Sequence, residues 1–400
     1  MPNPSFSSYP SFPTDTTPLV INAKCLDYLR TLPDNSIDSI VTDPPYGLNN
    51  LKPGKVVEAI SQWINGDLEF VPDTKGFMNA EWDKFVPPPA AFKECLRVLK
   101  PGGYIVCFAG TRTLDLMGLS LRIAGFEVRD LFGWLNGNGW PKGINISKAI
   151  ESKYPDEAEK WSGWNTTLKP ALEPALICRK PIEGTVSNNV LKYGTGGMNI
   201  DATRVPSDEV TGWGGNGHKP DGASSFLSRT GAESRDARPV QGRWPANIAL
   251  DDDAAAAVDE QSGESISRPH PGGDKKTKRG SLVGGAMYSA PSGHNDSGGA
   301  SRFFHVFSYV AKAPKSERPV IVRDDGTKLQ HSTVKPVTLM QHLVALITPP
   351  GGLVLDPFAG TGSTLEAAYS LGMRSIGIEQ DSEYCQLIDL RLARAMSNLT

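Results

Sequence analysis

Four consecutive residues, Asp43-Pro44-Pro45-Tyr46, bring together a carboxylate, two residues without a backbone N–H and a flat phenol ring. Proline fixes φ at about −65° and gives no ladder hydrogen bond, so the apolar run through Ile40 and Val41 must end here. Gly47 then permits a sharp turn. A rigid loop at the C-terminal end of a strand is where open α/β sheets bind their ligands. This one offers an anionic acceptor, free carbonyls and a ring, which suits a planar group that donates hydrogen bonds. Out of context, the same residues serve equally well as a proline turn with a half-buried Tyr.

A second group of residues lies far downstream. Leu353-Val354-Leu355 reads as a strand that runs into Asp356-Pro357-Phe358-Ala359-Gly360-Thr361-Gly362-Ser363-Thr364, then a helix through Leu371. Ser375-Ile376-Gly377-Ile378 follows as another strand and ends on Glu379. Gly360 and Gly362 allow the backbone close to a ligand, and the N-terminus of the helix presents free N–H groups. A carboxylate at the end of the next strand can accept both hydrogen bonds of a ribose diol. No Lys follows the glycines, so a triphosphate loop is excluded, and the parts point to an adenosine-bearing cofactor. The competing reading is a glycine turn that serves packing alone.

The elements that must position these groups have an α/β rhythm. Strands are expected at 19–21, 37–41 and 104–108, and helices at 26–32, 56–63, 92–99 and 114–124. Lys100-Pro101-Gly102-Gly103 reads as a helix stop with glycine after the last turn. The continuous apolar run 104–108 suits a strand buried on both faces. Residues 126–134 and 175–178 read as further strands that form an antiparallel hairpin at the sheet edge. Helices are expected over 339–347 and 384–395. The stretch 48–86 is less regular, and its loop 76–85 carries Trp82; it reads as a lid or as a structural insertion.

Composition bounds the rest. The chain has 400 residues, 39% of them hydrophobic, enough for one large domain or two ordinary ones. Its 41 glycines and 32 prolines predict long loops on a globular scaffold. The five cysteines are scattered without a C-x-x-C pair, which argues against zinc and against a disulfide framework and fits a reducing compartment. No metal is expected. No apolar run reaches the roughly 18 residues of a membrane span, and the N-terminus lacks a signal pattern, so the protein is expected to be soluble and intracellular.

Four regions are expected. A flexible arm covers 1–18, and two halves of one catalytic domain cover 19–181 and 301–400. Between them, 182–300 is rich in Gly, Ser, Asp and Arg, interrupted by an organised piece over 242–250 and a helix over 251–261. The net charge of −3 gives no global attraction for nucleic acid. From Ser265 to Arg318, however, nine Lys or Arg face three acids. Arg268, Lys275, Lys276, Lys278 and Arg279 are the candidates for phosphate contact. As a charge cluster alone, this stretch reads more readily as a solvated loop.

Asp43-Pro44-Pro45-Tyr46 and the stretch from Asp356 to Thr364 resemble the two signature motifs of the DNA amino-methyltransferases. With the catalytic motif first, the order is similar to the permuted β class. Leu99-Lys100-Pro101-Gly102-Gly103, Glu173-Pro174-Ala175, His331-Ser332-Thr333-Val334-Lys335-Pro336 and Gly377-Ile378-Glu379 match in register, and the middle segment resembles one branch of the family at Asn199-Ile200-Asp201 and Gly242-Arg243-Trp244-Pro245-Ala246-Asn247. The resemblance implies a circularly permuted Rossmann-like α/β fold with an inserted target-recognition region, and S-adenosyl-methionine as cofactor. It implies catalysis by Asp43, Pro44, Pro45 and Tyr46. Cofactor contacts would come from Cys25, Lys335, Asp356, Phe358, Gly360, Gly362, Ser363, Thr364 and Glu379. One departure stands out. The family often has Gly-Asp where this chain has Ala23-Lys24, and Lys24 cannot accept a hydrogen bond from adenine.

The reaction implied is methyl transfer to the exocyclic nitrogen of a base flipped out of duplex DNA. Asp43 and the Pro44 carbonyl would accept the two amine hydrogens, and Tyr46 would stack on the base. Asp in the first motif position associates with N6 of adenine, and the alternative is N4 of cytosine. From other classes, a DNA-binding protein with a vestigial cofactor fold and a methyltransferase for RNA or small molecules remain as rivals. The resemblance admits a homodimer and a cognate restriction endonuclease as partners, in a bacterial or phage cytoplasmic setting near the nucleoid.

Overall fold

The computed structural model describes residues 12–48, 51–74, 76, 81–139, 141, 143–211, 240–267, 273–275, 287–289, 296–307, 318–323, 325–331 and 334–399. They fall into two compact units. The first comprises Met1–Asn199, Asn247–Ala254 and Phe307–Thr400, and the second Ile200–Ala246 and Ala255–Val306.

The first unit is built on a mixed, mostly parallel sheet. Its strands are β1 (Leu19–Asn22), β2 (Ile37–Thr42), β3 (Leu99–Phe108), β4 (Glu127–Leu135), β5 (Leu172–Arg179), β6 (Ile248–Leu250), β7 (Leu353–Asp356) and β8 (Arg374–Glu379). They lie in the order β1-β8-β7-β2-β3-β5-β4-β6. From β1 to β3 every neighbour is parallel. β5 is antiparallel to both β3 and β4, and β6 returns parallel to β4. β2 and β7 are buried at every position, as strands covered on both faces must be.

The helices named here are α1 (Cys25–Leu29), α2 (Pro53–Ile64), α3 (Pro89–Val98), α4 (Leu114–Ala124), α5 (Val337–Ile347), α6 (Ser363–Ser370) and α7 (Ser382–Leu399). Proline opens α2 and α3, where its missing N–H costs nothing. Side chains alternate across the strands. Thus Ile105 and Cys107 join a cluster with Phe92 of α3 and with Met117 and Leu121 of α4. Phe132 of β4 instead packs near His342 of α5, ring centres 6.2 Å apart. Trp63 of α2 and Phe85 join the first cluster with their rings 5.9 Å apart, so this part of 48–86 is packed into the core.

Two expectations need correction. The strands 126–134 and 175–178 do pair antiparallel, but not at the edge. β5 lies between β3 and β4, and β4 also carries β6, a strand from 248–250 whose few apolar residues gave little sign of sheet membership. The second correction concerns the glycines after α3. The helix stops because Leu99 turns extended (φ −64°, ψ 141°), and residues 99–103 already belong to β3. Gly102 is there for a close approach: its φ is +79°, and a Cβ would lie 2.4 Å from Asn189 Nδ2 and 3.0 Å from the Gly196 backbone.

In the second unit, ribbon Val205–Thr211 pairs with Val240–Arg243, and Ser265–Ser267 with Asp296–Gly298. Asp296 accepts from Arg243 and from Arg302. Both guanidiniums lie over the Phe303 ring, at 5.0 and 4.3 Å. The stretch 242–250 is thus shared between the units: Arg243 anchors the second, and β6 belongs to the first. Among the described residues no helix is long and apolar enough to cross a membrane, and no group of His, Cys, Asp and Glu could hold a metal ion.

Gly102→Ala is expected to lower the unfolding free energy by about 1–3 kcal/mol, the cost of a side chain forced into a left-handed conformation. A urea midpoint equal to that of the parent would contradict the close-approach account.

Candidate active site

β2 and β7 are parallel neighbours, so the loops that leave their C-terminal ends emerge on the same side of the sheet. Side chains reinforce the pairing. Asp38 accepts from the Leu353 N–H at 2.8 Å, and the Ser39 and Thr348 hydroxyls meet at 2.7 Å. At the loop end, Thr42 donates to Asp356 Oδ1 at 2.7 Å, a bond between residues 314 positions apart. Asp356 Oδ1 also accepts from the Phe358 N–H, and Oδ2 from the Thr364 hydroxyl at 2.6 Å. Burial pushes the Asp356 carboxyl up to about 6, against the lowering effect of its hydroxyl donors.

The first loop is held from several sides. The Tyr46 hydroxyl donates to Asp43 Oδ1 at 2.6 Å. The Asp83 carboxylate accepts from the N–H groups of Gly47 at 2.7 Å and Leu48 at 3.3 Å, and Thr113 donates to the Tyr46 carbonyl at 2.6 Å. Burial and the adjacent Asp43 raise the Tyr46 phenol well above its usual value, so it stays a proton donor. Lys335 reaches into this group. Its ammonium donates to Asp43 Oδ2 at 2.6 Å and to the Tyr46 hydroxyl at 3.2 Å, and lies 3.4 Å from Glu173. It sits 4.8 Å from the centre of the Phe108 ring. The Lys335 side chain is only 5% exposed. Burial opposes its charge, but Asp43 and Glu173 outweigh that and raise it above the ordinary lysine value.

The second loop carries the glycine turn. Gly362 has φ +79°, and a Cβ would lie 2.8 Å from Ile388 Cγ2 of α7, so only glycine fits. The Gly360 N–H donates to Glu379 Oε2 at 2.9 Å, across 19 positions, and the Asp381 N–H donates to Oε1. Burial nevertheless pushes the Glu379 carboxyl up to about 7. Beside the turn, His331 stacks on Trp82 (5.9 Å between ring centres) and meets Tyr384 edge-on at 4.9 Å. Cys25 opens α1 next to the end of β1, and burial pushes its thiol up to about 12, which keeps it neutral.

The structure thus brings Asp43, Pro44, Pro45 and Tyr46 into one loop next to Asp356, Phe358, Gly360, Gly362, Ser363, Thr364 and Glu379. Lys335, expected among the cofactor residues, directs its ammonium to the Asp43 loop, where Asp43 and Glu173 attract it. Asp356 and Thr364 spend their side chains on each other, on Thr42 and on Val41, so they hold the site together from within. Arg268, Lys276, Lys278, Arg279 and the side chain of Lys275 lie outside the described residues. The sequence left Glu173, Asp83 and the His331 ring without a role. The only signal was that Glu173 and His331 open matched stretches; Asp83 follows Trp82 with no local pattern.

A DNA methylase family model (N6_N4_Mtase) matches residues 37–390, and the chain belongs to that family. It is 21% identical over 397 residues to the Type II methyltransferase M.HindIII of Haemophilus influenzae, which covers 95% of this chain and 96% of the relative. Over 77 residues it is 38% identical to the Type II methyltransferase M.HinfI of Haemophilus influenzae (19% of this chain, 21% of the relative). Over 63 residues it is 40% identical to the Type II methyltransferase M2.DpnII of Streptococcus pneumoniae (16% and 24%). For the last two, the matched stretch spans about a quarter or less of the relative's own length.

Glu379 predicts a pH effect on stability. Its folded value of about 7 lies above the ordinary 4.5, so its contribution is complete below about pH 4.5 and is lost as pH rises through 7. Glu379→Gln should therefore lose less stability than the parent between about pH 5 and 8 in urea titrations. Parallel stability curves would contradict the assignment.

Proposed function

We propose that the protein transfers a methyl group from S-adenosyl-methionine to the exocyclic amine of a base flipped out of double-stranded DNA, with N6 of adenine as the preferred target. The observation that carries this reading is the ordered pair of motif loops, joined side by side through Thr42 and Asp356.

The residues present fit the cofactor. At Gly360 a Cβ would meet nothing closer than His331 Nε2 at 3.8 Å, which leaves room for a ligand against the backbone, and Glu379 offers carboxylate oxygens next to the Gly360 N–H, where a ribose diol can donate. Lys24 stands where an acid would take the adenine amine, so backbone groups and rings such as Phe358 would hold the adenine. When bound, S-adenosyl-methionine supplies a methyl on a positively charged sulfur, which leaves as a neutral thioether.

The chain's own residues do the rest. An exocyclic amine is a poor nucleophile because its lone pair is delocalised into the ring. Asp43 and the Pro44 carbonyl accept its two hydrogens and favour a pyramidal nitrogen with its lone pair free. Holding that nitrogen in line supplies much of the acceleration. Acceptors placed where positive charge develops supply more. One amine proton leaves along the hydrogen bond to Asp43 as the nitrogen–carbon bond forms. Tyr46, half-buried, offers its ring to the flipped base, a stack worth about 1–3 kcal/mol. Asp in the first position of the loop favours adenine over cytosine. Target recognition is assigned to the second unit, where Trp244 is 62% exposed and the Arg204 guanidinium lies 5.8 Å from its ring.

The test is nucleoside mass spectrometry after incubation with S-adenosyl-methionine and unmethylated bacterial DNA. N6-methyladenine is expected with the parent and none with Asp43→Ala, whose cofactor affinity should be retained. N4-methylcytosine alone would overturn the choice of base, and near-normal turnover of Asp43→Ala would overturn the mechanism.

A further inference from the structure

We propose that Glu173 is a positioning residue that keeps the catalytic cluster net negative, by sharing the Lys335 ammonium that would otherwise neutralise Asp43. The inference rests on the methyl-transfer reading of the same site.

Asp43 is asked to do two things that conflict. It must stabilise positive charge developing on the target nitrogen, yet its Oδ2 already holds an ammonium at 2.6 Å and its Oδ1 a phenol hydroxyl at 2.6 Å. One carboxylate and one ammonium sum to zero, and a neutral pair offers little to a second cation. Glu173 changes that balance. It lies on β5, and its carboxylate approaches the same ammonium to 3.4 Å. With both carboxylates present the cluster carries one net negative charge. The side chain of Lys335 is 5% exposed, while those of Asp43 and Glu173 are 23% and 33% exposed. Water therefore screens the ammonium little, and protein acceptors must satisfy its three N–H donors. When the target amine takes up Asp43, Glu173 is the acceptor already in place for the displaced ammonium.

Charge arithmetic makes the proposal testable. Glu173→Gln leaves a neutral cluster. Adding Lys335→Met to it restores the single negative charge on Asp43. Turnover is measured as tritiated methyl incorporated from S-adenosyl-methionine into unmethylated bacterial DNA, and binding of neutral S-adenosyl-homocysteine by calorimetry serves as the fold control. Glu173→Gln is expected to lower kcat by about tenfold or more with S-adenosyl-homocysteine affinity unchanged. Glu173→Gln with Lys335→Met should recover most of that loss, which a merely structural role of Glu173 would not produce. Glu173→Asp, which keeps the charge, should stay closer to the parent than Glu173→Gln. Parental kcat in Glu173→Gln overturns the proposal. A double variant that binds S-adenosyl-homocysteine but is no faster than Glu173→Gln overturns it too. If the double variant fails to bind, Glu173→Asp decides, and a loss equal to that of Glu173→Gln overturns the proposal. A parent that methylates no DNA defeats the methyl-transfer reading itself, a different result from a parent that is active and insensitive to Glu173→Gln.

Discussion

The buried carboxylate of Asp356 is the contact through which the two halves of the site hold each other. It stands at the end of β7 and accepts from Thr42 at the end of β2, from Thr364 at the start of α6 and from the Phe358 backbone. A buried carboxylate is costly unless its acceptors are filled, and here three donors fill them. The glycine turn and the Asp43 loop therefore take their positions from one group. Burial outweighs those donors and holds its carboxyl up at about 6.

A third stretch of chain completes the site. Lys335, just before α5, places its ammonium against Asp43 from the first loop and Glu173 from β5. His331, four positions earlier, stacks on Trp82 and meets Tyr384 edge-on beside the glycine turn. The segment that precedes α5 thus touches both the Asp43 loop and the surroundings of the glycine turn. Residues remote in sequence thereby share one electrostatic environment.

The sequence disclosed much of the fold because the central strands are short apolar runs with sharp ends, and α4 spans the 114–124 expected of it, closed by Gly125 in a left-handed conformation. It disclosed the two loops because proline stops a strand and glycine lets the chain turn sharply, and because the two stretches resemble a pair of family motifs in one order. What it hid was long-range. Gly102 read as a helix cap, because its approach to Asn189 and Gly196 depends on residues about ninety positions away in the chain. β6 was hidden because three residues carry too little periodicity to register as a strand. The ion pairs of Lys335 were not legible because its motif names a neighbourhood, whereas the direction of its ammonium is set by Asp43 and Glu173, which come from other parts of the chain. Asp83 was invisible because a carboxylate that serves backbone N–H groups has no sequence signature.

The central claim is that Asp356 couples the catalytic loop to the cofactor turn. The most direct measurement is calorimetric titration of S-adenosyl-methionine into Thr42→Val. Thr42 lies on the catalytic strand and donates to Asp356 Oδ1, the oxygen that also orients the Phe358 backbone. Losing that donor should weaken cofactor binding several-fold while the fold persists. Unchanged affinity in a folded Thr42→Val protein would contradict the account, since the two loops would then be neighbours without being coupled.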